Sequence, residues 1–251
     1  MSENPAGRGL PRDAANWATK VDRLTVDERG SRGVNVAGRR LTGPIQGFGK
    51  MWRKTYWIEV SPEISPKAVI ATWKEHFGEF WPRGSRFQAP LTRLGPGDVA
   101  LLDVRVGGGV RLSTGVFVLY ADEESFTLMT PQGHMFAGWI TFSAQTKGQA
   151  KSAATRVQAQ ILMRSNDPLY ELAMSFGGHR KEDQFWRQTL TSLARHIGAA
   201  PVVVRTRTVC VDRRRQWRNA GQVWHNSLVR TMVQSVTSPL TRGYQRRPVP
   251  R

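Results

Sequence analysis

The amino-acid sequence predicts one α+β domain in which an antiparallel sheet wraps around a long C-terminal helix. Three observations predict it. A strand pattern at 51–60 leads directly into an amphipathic helix, five more strand-like segments follow through short connections, and a helical pattern of about 30 residues closes the series. Short connections make successive strands antiparallel neighbours, because a parallel return needs a crossover of a dozen residues or more.

Residues 1–44 are polar and rich in Gly, Arg and Asp without sustained periodicity, which predicts an irregular N-terminal arm. The domain is expected over 45–198. Met51 to Val60 reads as a strand, with Trp52, Tyr56, Ile58 and Val60 on one face. Ser65-Pro66 starts a helix, serine as N-cap and proline at the first helical position. Val69, Trp73, Phe77 and Phe80 then form its apolar stripe, and Gly78 and Pro82 weaken and end it.

After the turn Gly95-Pro96-Gly97-Asp98 come strands at Val99 to Val106 and Val110 to Tyr120, separated by Gly107-Gly108-Gly109. The second of these is apolar on both faces. Ser125 to Thr130 and His134 to Ser143 are joined by Thr130-Pro131-Gln132-Gly133, with proline at the second turn position. Thr155 to Arg164 alternates cleanly, with Val157, Ala159, Ile161 and Met163 on one face. Asp167-Pro168 opens the long helix, roughly 45 Å if it runs unbroken to Ile197. Leu172, Phe176, His179, Asp183, Trp186, Leu190, Leu193 and Ile197 recur at steps of four and three, one continuous face. Gly177-Gly178 interrupts it and predicts a kink or a close approach.

Residues 199–251 form a basic C-terminal extension. Val202 to Val211 reads as a strand or extended tail, and Arg213 to Val236 as a basic amphipathic helix with Trp217, Trp224, Leu228 and Met232 near one side. Residues 237–251 are expected to lack regular structure.

The formal net charge is +18, and it sits in the flanks. Residues 199–251 carry eleven arginines against Asp212 alone, whereas 61–198 hold fifteen basic and twelve acidic residues. Such flanks attract phosphates of nucleic acid or of anionic lipid, here through Arg213, Arg214, Arg215 and Arg218, or they serve solubility alone. A single cysteine, Cys210, excludes an internal disulfide framework and a cysteine-based zinc cluster. Residues 1–30 contain no apolar signal-like stretch, and no apolar run approaches the roughly 18 residues of a membrane span. The expectation is a cytoplasmic protein, peripheral on a membrane at most.

The order of elements, with the phrases Val60-Ser61-Pro62, Phe80-Trp81-Pro82, Pro96-Gly97-Asp98 and Asn166-Asp167-Pro168, resembles the helix-grip fold of the START, polyketide-cyclase and birch-pollen-allergen superfamily. Phe126-Thr127-Leu128-Met129-Thr130-Pro131 and Gly177-Gly178-His179-Arg180 resemble an actinobacterial branch of it. The resemblance covers about 49–198 and implies an apolar small molecule or lipid held between the sheet and the long helix. No catalytic set of the superfamily transfers residue by residue, and a fold of this kind hosts unrelated activities.

A cavity of several hundred Å3, the order usual for ligand pockets, is therefore expected, lined by Phe176, His179, Asp183 and Trp186 of the helix stripe. His179 and Asp183 lie one turn apart, so they can pair with each other, and buried polar groups need such partners. Three readings stand together: a non-catalytic carrier of a hydrophobic molecule, a cyclase or aromatase using His179 and Asp183 for proton transfer, and a module whose basic flanks engage nucleic acid or membrane. Nothing in the motifs asks for a cofactor or metal: G-x-S-x-G, H-E-x-x-H and metal-ligand clusters are absent, and the glycine run lacks the strand-loop-helix context of a phosphate loop. His134 reads as a strand-end residue.

Overall fold

The structure is a computed structural model that describes residues 14–26, 33, 35–88, 94–107, 110–148 and 153–231. Residues 237–251 and Gly108-Gly109 of the glycine connection lie outside the described residues. Among the described residues nine strands form one sheet: β1 (Leu41–Thr42), β2 (Met51–Val60), β3 (Arg86–Gln88), β4 (Val99–Gly107), β5 (Val110–Ala121), β6 (Ser125–Pro131), β7 (Phe136–Lys147), β8 (Ala154–Ser165) and β9 (Arg205–Asp212). The order is β3-β4-β5-β6-β7-β8-β2-β9, with β1 paired to β6 off this path, and every pairing is antiparallel. Successive strands neighbour one another from β3 to β8, as short connections require. The pairing of β2 with β8 brings the first long strand against the last of this run. Across it Lys54 lies opposite Ile161, Tyr56 opposite Ala159 and Ile58 opposite Val157.

Two helical segments pack into the concave face. Helix α1 (Pro66–Glu75) starts at Ser65-Pro66, although the Ser65 side chain makes no capping bond, and a 310 turn (Phe77–Phe80) continues it. The predicted stripe Val69, Trp73, Phe77 and Phe80 is fully buried. Helix α2 (Pro168–Ala173) is capped by the Asp167 carboxylate, which accepts from the amides of Leu169 and Tyr170 at 2.9 and 3.0 Å. Helix α3 (His179–His196) then runs over the sheet and buries Leu190, Leu193 and Ala194. Together they make the helix-grip fold.

The space between helices and sheet is packed with rings. Phe142 on β7 stacks on Phe126 at 4.7 Å and takes Trp73 and Phe77 edge-on at 4.9 and 5.0 Å. Trp186 of α3 completes the group at 5.6 Å from Phe142. Rings of this size each bury large apolar areas, and edge-to-face contacts add roughly 0.5–1.5 kcal/mol each.

The long helix does not present the continuous stripe expected of it. Between α2 and α3 the chain makes a π turn (Met174–Gly178) in which Phe176 (φ −97°, ψ 44°) and Gly177 (φ 95°, ψ 1°) leave helical geometry. Leu172 and Phe176 are 56% and 82% exposed, and Tyr170, Glu171 and Met174 are buried in their place. The cause is the glycine: a left-handed φ is nearly free for Gly177 and costly for other residues. The wider turn shifts the phase of everything before it.

The flanks are joined to the sheet. Leu24 and Val36 of the N-terminal arm bury against Leu101 and Phe117 on the outer face, forming a second small core. Residues 199–231 add β9 to the free edge of β2. The expected helix over 213–236 is, within the described residues, a 310 helix (Trp217–His225) with Trp217 and Trp224 73% and 83% exposed. Its geometry follows from its partners, since the Asn219 amide donates to the carbonyls of Ile45 and Gly47 and the Gln216 N–H to that of Phe48. Asn226 and Ser227 are fully buried; the Asn226 amide donates to Asp167 at 2.8 Å. Arg164 on β8, also buried, reaches the carbonyls of Gly49 and Arg214 and the carboxylate of Asp212.

A chain ending at Ala200 leaves Arg164 without Asp212 and Asp167 without Asn226. Losing the partners of a buried arginine and of a buried capping carboxylate destabilises the fold. Urea melts of this shortened chain are expected to show a lower midpoint than those of the full one. Equal midpoints would show that the extension contributes nothing to stability.

Candidate functional site

Alternation along β2 sends residues 54, 56, 58 and 60 to the concave face. Three of them are the apolar or aromatic residues expected there, Tyr56, Ile58 and Val60. The fourth is Lys54, whose side chain is only 2% exposed. Its ammonium is held by two consecutive residues of α3, Glu182 Oε2 at 2.7 Å and Asp183 Oδ1 at 2.8 Å. The Tyr56 hydroxyl donates to the same Asp183 oxygen at 2.6 Å. Burial, with the nearby Glu182 and Asp183 charges and this hydrogen bond, pushes the Tyr56 phenol far above its ordinary range, so it stays a donor.

His179 stands at the edge of this cluster. Its Nδ1 lies 3.9 Å from Glu182 Oε2, beyond hydrogen-bond distance, and its ring meets Trp52 edge-on at 4.9 Å. Glu182 is 92% buried by side chain, and among the described residues neither its Oε1 nor His179 Nδ1 has a hydrogen-bond partner. The cluster thus holds one buried acceptor and one buried imidazole nitrogen without a hydrogen-bond partner among the described residues, beside a satisfied lysine.

Around it the concave face is less tightly covered than elsewhere. Ile140 on β7, Ile161 on β8 and Lys54 on β2 form one row across three strands. Ile140, Trp52, Phe136 and Trp186 are half-buried, while the rings deeper in the grip are fully buried. The open part of the apolar face therefore borders the polar cluster.

The residues predicted for the site meet different fates. His179 and Asp183 do not pair with each other; Asp183 is engaged by Lys54 and Tyr56, 129 and 127 positions away. Trp186 packs on Phe142 and Phe185 at 5.6 and 5.0 Å. Phe176 projects into solvent at the kink. Spacing gives no signal for Lys54, Tyr56 and Glu182 as site residues, apart from the place of Lys54 as the one charged residue on the alternating apolar face of β2. Where a closed apolar cavity is expected, ring packing fills much of the grip.

The basic extension divides. Arg215 pairs with Glu171 at 3.3 Å, Arg218 borders a shallow surface hollow of about 240 Å3 with Gln132 and Gln222, and Arg213 and Arg214 are exposed. No group of three His, Cys, Asp or Glu side chains among the described residues is placed to hold a metal ion. No helix among them is long and apolar enough to cross a membrane. His134 is buried in the turn just before β7, where its Nδ1 accepts from the Phe136 N–H at 3.0 Å, and burial holds its imidazole down at about 4.

No protein-family model matches the chain, and no curated protein matches its sequence. Among solved structures it is similar in fold to protein NE0264 from Nitrosomonas europaea, at 16% identity and TM-score 0.41 over 58% of this chain and 94% of that one. It is similar also to Ara h 8.0201, at 15% identity and TM-score 0.39 over 58% and 97%. A third is the di-domain ARO/CYC StfQ from the steffimycin biosynthetic pathway, at 8% identity and TM-score 0.42 over 61% and 53%.

Two expectations follow from these environments. Lys54→Met leaves Glu182 buried without its cation and is expected to cost about 3–5 kcal/mol in urea melts. His179→Ala, which removes no hydrogen bond, is expected to cost far less; equal losses would contradict the pairing described. His134 titrates at about 4 when folded against an ordinary 6.5, so below 6.5 the unfolded chain binds the extra proton. Stability is expected to be full above pH 6.5 and to fall by about 3 kcal/mol in total as pH drops towards 4. His134→Gln should flatten that part of the pH profile.

Proposed function

We propose that this chain binds a hydrophobic small molecule carrying a hydrogen-bond donor, without chemical turnover, on the open part of its concave sheet face beside α3. The observation that carries this reading is the buried Lys54 held by Glu182 and Asp183 on an otherwise apolar face. Desolvating each ion of such a group costs several kcal/mol, and a well-packed apolar residue would often serve stability as well or better. Buried ionisable groups beside apolar surface point to a candidate binding site.

Each part has a role in recognition. Ile140, Trp186 and Trp52 offer apolar surface to the body of the ligand. Glu182 Oε1 accepts from its hydroxyl or amine, and His179, on its aromatic support, meets the same end of the molecule. Phe176 stands at the kink where α3 begins, and Asp183 acts by holding Lys54 and Tyr56 rather than by touching the ligand. The polar end selects among hydrophobes, because a site built around an unpaired buried acceptor rejects an analogue without a donor.

Fluorescence titration with 2-naphthol and with 2-methylnaphthalene separates the outcomes. The hydroxyl compound is expected to bind at least about tenfold tighter, and Glu182→Gln to remove most of that preference. Equal affinity for both compounds would reduce the site to an apolar surface, and no binding of either would end the proposal. Native mass spectrometry of the purified protein then looks for a co-purifying molecule of this class.

A further inference from the structure

The residues of β2 that do not face the grip face outward, and there the sheet carries a second concave feature. Arg53 and Thr55 on β2, Gln160 on β8, and Arg207 and Val209 on β9 line a groove of about 240 Å3. Register brings them together: Arg53 lies opposite Val209, and Thr55 lies opposite both Gln160 and Arg207. Arg53 and Arg207 are thus diagonal neighbours on adjacent strands, with backbones roughly 7–8 Å apart.

Neither guanidinium makes a hydrogen bond or ion pair within the described residues. The carboxylates on β8, β2 and β9 are already engaged: Glu59 accepts from Arg156 at 2.7 Å and lies 3.7 Å from Arg205, and Asp212 pairs with Arg164. Two like charges on diagonal positions repel, and nothing in the groove offsets them. A concave wall of one sign concentrates counter-ions, and paired guanidinium forks match the oxygens of a phosphate group bidentately. The Thr55 hydroxyl and Gln160 amide add neutral donors, and Val209 offers a small apolar contact.

From this geometry we infer that the groove across β8, β2 and β9 is a binding site for a phosphate monoester dianion. Its size admits one phosphate with part of its ester group, which favours a single phosphate over a run of nucleic-acid phosphates. It lies on the opposite face of the sheet from Lys54 and Tyr56 and does not depend on the small-molecule reading given above. The ester can come from a soluble metabolite or from a lipid headgroup such as phosphatidic acid; the recognising chemistry is the same.

Isothermal titration of the full chain with phenyl phosphate at low ionic strength and pH 7.5 is expected to show one site. Arg53→Gln and Arg207→Gln should each weaken binding at least tenfold, whereas Arg213→Gln, away from the groove lining, should leave it unchanged. All these side chains are exposed, and thermal melts of the variants verify folding. Binding should also weaken at pH 5, because the second phosphate ionisation lies near 6. Absence of a binding isotherm, or an equal loss in Arg213→Gln, would overturn the assignment. So would tighter binding of a single-stranded oligonucleotide with a steep salt dependence, which would make this face a nucleic-acid surface. Sedimentation with vesicles containing phosphatidic acid separates the two sources: Arg53-dependent capture assigns the lipid headgroup, and phenyl phosphate binding without capture assigns a soluble ester.

Discussion

The ammonium of Lys54 joins the middle of β2 to the first turns of α3, and the placement of the helix over the sheet depends on it. Two consecutive residues, Glu182 and Asp183, converge on one nitrogen, which fixes both the position of α3 along the sheet and its rotation about its own axis. Apolar packing alone is tolerant of small slides, since rings and aliphatic side chains accept many near-equivalent contacts. A lysine bonded to two carboxylates is not. Because desolvation of the ions offsets much of their attraction, the contribution lies more in choosing one arrangement than in added stability. With the helix so placed, Leu190, Leu193 and Trp186 meet the ring cluster around Phe142.

A single strand carries both surfaces of functional interest. On β2, Lys54 and Tyr56 point into the grip and Arg53 and Thr55 point away from it, because side chains alternate with period two. The neighbours of β2 are β8 on one side and β9 on the other. Both of those strands come late in the chain, so the inner cluster and the outer groove exist only when the chain has closed. Arg164 strengthens that closure from the end of β8, reaching the backbone before β2 and the residues after β9 at once. The C-terminal extension is therefore built into the same set of hydrogen bonds as the sheet.

Much of the fold was legible in local patterns. The stripe of α1, the alternation of β8 and the Asp167-Pro168 start each depend on residues close in sequence, and each is found where periodicity placed it. The glycine pair correctly marked a kink, yet its consequence for Leu172 and Phe176 was not readable. A π turn changes the phase of a helix by about 100°, one residue's rotation, and no spacing rule carries across it. The arm before β1 was read as irregular for want of periodicity, and the packing of Leu24 and Val36 on the outer face has no local signal, because its partners Leu101 and Phe117 lie far along the chain. Arg213 to Val236 had helical spacing, but hydrogen bonds from Gln216 and Asn219 to the segment before β2 prevailed over that preference within the described residues.

The candidate site divides along the same line. By itself the sequence determined that His179 and Asp183 lie one turn apart on the same helical stripe as Trp186, Leu190 and Leu193, and that a strand with an apolar face runs from Met51 to Val60. It determined the antiparallel neighbours wherever connections are short. Only the tertiary structure decided that Asp183 takes Lys54 and Tyr56 as partners, from more than a hundred residues away, and leaves His179 on Trp52. The reason is physical: spacing within a helix sets which groups can reach each other, whereas burial sets which groups must. A lysine carried into the core by the pairing of β2 with β8 requires a carboxylate far more than a half-exposed histidine does.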